Sequence, residues 1–70
     1  MDQQFEYASV EWLWDSGNIR INLPNGEEHQ STGTYAEIVA TLNEMGQNGW
    51  DIGSCAAQSN WIYWTMKRAR

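Results

Sequence analysis

The segment from Leu42 to Ile52 predicts a helix end, a tight turn and the start of a strand in close succession. Gly46 stands where the end of a helix favours a positive φ, and Gly49 supplies a second bend. Trp50 then opens a stretch that can pair into a sheet. A helix that leads directly into a strand predicts a domain that contains both a helix and a sheet.

The helix before this junction is predicted to begin at Tyr35. Thr34 and Glu37 have the spacing of a capping box, in which each side chain accepts a hydrogen bond from the other residue's backbone N–H. Apolar residues then recur at helical spacing, so one face of the helix is expected to pack on a sheet. This stripe consists of Tyr35, Ile38, Val39, Leu42 and Met45.

Strand signals precede the helix. Residues 5–14 are rich in aromatic and β-branched side chains and contain neither Gly nor Pro, and residues 15–18 have the composition of a turn. The alternation of Ile19 and Ile21 with polar residues predicts a second, half-buried strand that pairs back on the first. A Pro-Asn-Gly turn follows, and residues 28–30 are a candidate for a short edge strand.

A second hairpin is predicted after the helix, from residues 50–57 and 61–67 with a turn at 58–60. We therefore predict a single α+β domain over residues 1–70 with the order β-β-α-β-β. Its small sheet is expected to be antiparallel or mixed, to have four or five strands, and to carry the helix on one face.

Three segments resemble a known family: residues 5–7, residues 42–54 and residues 61–68. It is the small bacterial and phage domain catalogued as domain of unknown function number 4177. Its members open on a Glu-Tyr strand, end their helix in Leu-Asn-x-Leu-Gly-x-x-Gly-Trp-Glu-Leu, and finish on an aromatic strand running into Lys-Arg. The resemblance covers about half of the chain, and residues 12–33 depart from it by an added hairpin. It implies a fold but no established activity and no catalytic residues.

The aromatic content predicts association between copies of the chain. The chain has five Trp, three Tyr and one Phe but a single Cys, so it cannot form an internal disulfide. In the last strand Ile62, Trp64 and Met66 form the better core face, and Trp61 and Tyr63 share the opposite face. Because one helix covers only one face of a sheet, Trp61 and Tyr63 are expected to be exposed in a monomer, which favours a homodimer or higher oligomer.

The charge distribution bears on partners and location. Net charge is −5, which argues against nucleic-acid binding, and the few cations are Arg20, Lys67, Arg68 and Arg70. No apolar run is long enough for a membrane span, and the first residues lack the pattern of a signal peptide. We expect a cytoplasmic protein, in the host cytoplasm if it is phage-encoded, with no membrane partner.

Catalytic and metal chemistry have little support in the sequence. Cys55 and His29 are the only nucleophile and base that could be paired, and nothing near them orients such a pair. Cys55 is expected to be a small buried residue of a strand, and His29 a solvated residue of a polar loop. The side chains of residues 27–29, Glu-Glu-His, could each bind a metal ion, but they point apart on an extended chain. We predict no enzyme activity, no cofactor and no metal.

The leading functional hypothesis is a non-catalytic homo-oligomeric binding protein that sequesters a small anionic, nucleotide-type ligand at a subunit interface. Aromatic rings would stack on the ligand, and Arg or Lys would pair with its anionic groups. The alternative is a protein-interaction or structural module that uses the same exposed aromatic sheet face. The predicted ligand-binding residues are Trp12, Trp14, Arg20, Trp61, Tyr63, Lys67 and Arg68.

Overall fold

The computed structural model describes residues 4–70 as one helix and five strands. All neighbouring strands pair antiparallel, and the sheet order is β3-β2-β1-β5-β4. The α+β class with one helix is thus confirmed, and the chain order is β-β-β-α-β-β because the candidate edge strand is present as β3. The elements are β1 (Phe5–Leu13), β2 (Asn18–Asn22), β3 (Glu28–Thr32), α1 (Tyr35–Gln47), β4 (Asp51–Gln58) and β5 (Trp61–Ala69).

The core lies between α1 and one face of the sheet. Ile38 of α1, Val10 of β1 and Met66 of β5 are fully buried there. Trp64 is buried beside Met66, and Ile62 is partly buried against the same cluster, so the predicted core face of the last strand is confirmed. β4 contributes no buried residue, because α1 lies over β1, β2 and β5 and leaves this edge strand uncovered.

The helix begins at Tyr35 as predicted, but its N-terminus is closed without a capping box. Thr34 is the N-cap residue and makes no side-chain capping bond. Its carbonyl oxygen accepts from the backbone N–H groups of Glu37 and Ile38 at 3.0 and 3.2 Å. The Glu37 carboxylate lies against Gly33 instead of reaching back to the N-cap, which is why the predicted reciprocal bond is missing.

The C-terminus of α1 corrects the prediction made for Gly46, which lies inside the helix without a positive φ. The left-handed residue is Gly49, with φ +89°. Gly49 N–H donates to the carbonyl of Gly46 at 3.0 Å, and Trp50 N–H donates to that of Met45 at 3.1 Å. This pair of bonds is the Schellman motif, and it turns the chain so that Trp50 packs under the end of the helix.

Candidate functional site

We call the side of the sheet opposite α1 the open face. Strand alternation and the antiparallel register decide which residues belong to it, since directly paired residues share a face. No element within residues 4–70 packs on this side. Its main residues are Phe5, Tyr7, Ser9, Glu11 and Leu13 of β1, Asn18, Arg20 and Asn22 of β2, and Trp61, Tyr63, Thr65 and Lys67 of β5.

Aromatic rings occupy both ends of the open face. The Trp61 and Tyr63 rings lie side by side with centroids 4.7 Å apart and planes tilted by 32°. Their position opposite the helix-covered residues of β5 is as predicted, but both are half-buried because each ring covers part of the other. At the far end Tyr7 is 58% exposed, beside the exposed ring of Phe5.

The cations of the open face are matched by carboxylates or a ring. Arg20, with 46% of its side chain exposed, has Nη1 4.0 Å from Glu11 Oε2 and Nε 4.0 Å from Glu28 Oε2. The Lys67 Nζ lies 5.2 Å from the centroid of the Phe5 ring. Asp51 of β4 stands directly across from Lys67 in the register. The face is therefore aromatic and slightly acidic rather than basic, since these two cations stand beside three carboxylates.

Arg68 lies on the other side of the sheet, although it follows Lys67 directly. Its Nε donates to Glu6 Oε2 at 2.6 Å, and its Nη1 donates to the carbonyl of Asn48 at 3.0 Å. The guanidinium also lies 4.4 Å from the ring centroid of Trp50, a cation–π distance. Arg68 thus ties the end of α1 to β1 and β5.

Beside Arg68 is an open cleft of about 560 Å³ between the end of α1 and the β2–β3 hairpin. Its lining comes from segments far apart in sequence, so no local motif could have indicated it. Carboxylates outnumber the cations along it, which makes it a poor site for an anion. The polar side chains that line it are Glu6, Asn25, His29, Glu44, Asn48 and Arg68.

Trp12 and Trp14 lie apart from the open face. Trp12 is buried under α1, where its Nε1 donates to the carbonyl of Gly33 at 3.1 Å and its ring meets Tyr35 edge-on at 5.4 Å. Trp14 follows the end of β1 and is exposed, with its ring centroid 6.2 Å from that of Trp12.

The seven predicted ligand-binding residues therefore fall into separate groups. Four share the open face, whereas Trp12 lies beneath α1, Trp14 follows the end of β1 and Arg68 lies beside the C-terminal end of α1. The open-face members are Arg20, Trp61, Tyr63 and Lys67.

Cys55 is not buried as predicted, whereas His29 is exposed as predicted and differs only in the element to which it belongs. Cys55 is exposed on β4, because α1 does not reach this edge of the sheet. His29 belongs to β3 rather than to a loop; it is exposed, and its Nε2 is 3.2 Å from Glu27 Oε2. Within residues 4–70 no three His, Cys, Asp or Glu side chains cluster closely enough to hold a metal ion. The described part of the chain also has no helix of the length and apolar character needed to cross a membrane.

Comparisons of this chain with protein-family models, with curated proteins and with solved structures found no match.

Proposed function

We propose that this protein is a non-catalytic binding protein whose subunits associate through the open face. One observation carries the proposal: large aromatic side chains lie on a sheet face that no element within residues 4–70 covers. Exposed aromatic patches of this kind usually mark an interface, since rings left in water lose the free energy that burial would supply. Tyr7, Trp61 and Tyr63 are the main apolar contacts of this interface.

The area of the open face is sufficient for a dimer. With strands about 4.8 Å apart and a rise of about 3.4 Å per residue, five strands of these lengths cover roughly 600 Å². Two copies packed face to face would bury roughly 1,200 Å² in total, which is the lower end of the range for stable, specific interfaces. A strongly populated dimer then depends on good packing of the rings at both ends of the face.

We also propose that a small anionic ligand of nucleotide type, as expected from the sequence, binds at the junction between subunits. The Trp61–Tyr63 ring pair is a stacking surface, and Arg20 lies two strands away on the same face. An anionic group that binds Arg20 must compete with Glu11 and Glu28, which lie near its guanidinium. The predicted contributions of Trp12, Trp14 and Arg68 would require them to act from outside this face.

The same charge balance favours a second candidate, a protein-interaction or structural module. Arg20 and Lys67 already have partners on the open face, and its carboxylates outnumber these two cations, so the face has no excess positive charge for a phosphate. A polypeptide with apolar and mixed polar side chains suits such a surface better than a strongly anionic small molecule does.

The association proposal is tested by sedimentation equilibrium at micromolar concentration with two matched variants. Tyr7→Glu places a carboxylate in the aromatic group at one end of the proposed interface, and Asn43→Glu places one on the exposed side of α1. Tyr7→Glu is expected to lower the mass to half that of the wild type, because the added charge loses its water on association. Asn43→Glu should keep the wild-type mass. A monomeric wild type, or equal masses for the two variants, would contradict the proposal.

The ligand proposal is tested separately by calorimetry with adenosine and guanosine mono- and diphosphates. Arg20→Gln is expected to weaken binding at least tenfold, because it removes the guanidinium while keeping a side chain of similar length. Arg70→Gln makes the same change at the end of the chain and should leave the affinity unchanged. If the wild type gives no heat with any of these nucleotides, the ligand is excluded, and a stoichiometric protein partner recovered by pull-down would support the module.

A further inference from the structure

The two edges of the sheet differ in how they are protected against pairing with another strand. An edge strand presents unpaired N–H and C=O groups, and proteins usually place charged side chains there to prevent further pairing. β3 carries Glu28 and His29, with Glu27 directly before it. β4 has Asp51 at its start, and the rest of the strand, from Ile52 to Gln58, contains no charged residue.

The side chains of β4 leave room for a neighbouring strand. Residues 53–57 are Gly-Ser-Cys-Ala-Ala, so no large side chain shields the backbone. A bulge shifts the register between Ile52 and Ser54, and such bulges can also disrupt edge pairing. From Ser54 to Gln58, however, β4 pairs regularly with β5, so a straight segment is presented along the outer edge.

Apolar surface next to this edge is uncovered as well. On the helix side of the sheet Ile52 is 53% exposed, and Cys55 and Ala57 are exposed beyond it. Val39 of α1 is 43% exposed, and it lies about 140° around the helix from Glu44, which lines the cleft beside the β2–β3 hairpin. Val39 is therefore on the side of α1 that faces β4, and a strand added there would cover part of this surface.

Charge decides which occupant suits this edge. Each chain carries −5, so two copies repel one another wherever their carboxylates meet. An antiparallel pairing of β4 with β4 places no charge opposite another along Ile52–Gln58, and it separates the two Asp51 residues to opposite ends. Antiparallel pairing of identical strands also generates a closed twofold dimer.

We infer that β4 pairs antiparallel with β4 of a second copy, near the middle of Ser54–Gln58, and extends the sheet across a twofold axis. This interface is separate from the open face, so it can form whether or not the open-face dimer does. Backbone hydrogen bonds supply its affinity, and the small side chains of residues 53–57 permit the approach.

The sheet offers a matched pair of positions to test this inference. Ala57 on β4 and Ser31 on β3 are both exposed, lie on the helix side, and belong to the same row across the sheet through Ile62, Trp12 and Ile19. Ala57→Lys adds an edge charge where pairing is proposed, and Ser31→Lys adds it at the opposite edge. Both are made in the Tyr7→Glu background, so that open-face association does not contribute.

In sedimentation equilibrium the Tyr7→Glu protein and its Ser31→Lys derivative are expected to be dimers, with half the mass of a wild type that associates through both the open face and β4. The Ala57→Lys derivative should dissociate at least tenfold more readily, with a circular dichroism spectrum equal to that of the parent. Equal association of the two derivatives, or a monomeric Tyr7→Glu protein, would overturn the inference.

Hydrogen exchange gives a readout that needs no substitution. Amides in residues 54–58 should exchange more slowly as protein concentration rises, whereas those in β3 should not. Exchange at 54–58 that is independent of concentration would overturn the inference. The inference would also be overturned if a different protein bound the wild type stoichiometrically and Ala57→Lys abolished that binding. That result would show that the β4 edge pairs with another chain.

Discussion

Gly49 decides where the helix stops and the C-terminal hairpin begins. Its φ of +89° is a conformation in which an L side chain strains the backbone. A Cβ added there would meet only Arg68 Cδ, at 4.0 Å, so space does not limit the position. Gly46 has open space around its Cβ position and no positive φ. The two glycines look alike in the sequence, but only one of them is required by the backbone.

Replacing these glycines by alanine should therefore change stability in opposite directions. Gly49→Ala is expected to lower the free energy of unfolding by about 1–2 kcal/mol, because alanine must adopt a left-handed conformation. Gly46→Ala should raise it by up to about 1 kcal/mol, because alanine is the better helix former. Urea unfolding followed by circular dichroism measures both. The reverse order of stabilities would place the helix end at Gly46.

Even a substitution of Arg68 that keeps the positive charge should destabilise the protein. Lysine cannot donate to Glu6 and Asn48 from one planar group while stacking on Trp50, so Arg68→Lys should cost about 1 kcal/mol of stability. Lys67→Arg, one residue earlier on the open face, is the control and should be close to neutral. Thermal unfolding of both variants measures the difference. An equal effect at the two positions would mean that the contacts of Arg68 add nothing.

At the scale of elements, local patterns were sufficient for most of the fold. The turn residues and the alternation of β2 and β5 are short-range signals that predicted both hairpins, and the spacing of Thr34 and Glu37 predicted the helix start. The full extent of β3 was missed because its residues are polar on both faces and carry no alternation. The reciprocal bond predicted from the Glu37 carboxylate to the N-cap is missing because this carboxylate lies against Gly33, a contact that spacing does not reveal.

Because one face of α1 packs on the sheet, alanine substitutions at adjacent helix residues should lower the free energy of unfolding by very different amounts. Ile38 is 0% exposed, so Ile38→Ala should cost about 2–5 kcal/mol, which is a large part of the stability expected for a domain of this size. Val39→Ala, at the next position, should cost less than about 1 kcal/mol because its side chain is partly in water. Urea unfolding gives both values. Similar losses would mean that α1 is rotated about its axis from the orientation described.

At the scale of the whole molecule, the candidate site could be predicted only in part. Strand alternation placed Trp61 and Tyr63 on one face. Lys67 and Arg68 were assigned to one site as cations that could pair with an anionic ligand. The last strand was expected to end at residue 67, but β5 continues to Ala69, so these neighbours lie on opposite faces. The burial of Trp12 depends on its pairing with Ile62 across β1 and β5, a long-range register that no local pattern encodes.

Net charge leads to a final prediction about association of the whole molecule. Two chains of −5 repel each other through solvent, and the Debye length falls from about 10 Å at 0.1 M salt to about 3 Å at 1 M. Raising NaCl from 50 to 500 mM should therefore tighten self-association several-fold, whereas it should weaken binding of an anionic nucleotide.

A double variant tests the role of charge directly. Glu37 and Glu44 are both exposed, and replacing both by Gln changes the net charge from −5 to −3, so this double variant should associate more tightly at 50 mM salt and respond less to added salt. Sedimentation equilibrium at both salt concentrations measures this, and the double variant separates charge repulsion from the general strengthening of apolar contacts by salt. Association that weakens with salt would mean that attractive charge pairs, not apolar and backbone contacts, hold the subunits together.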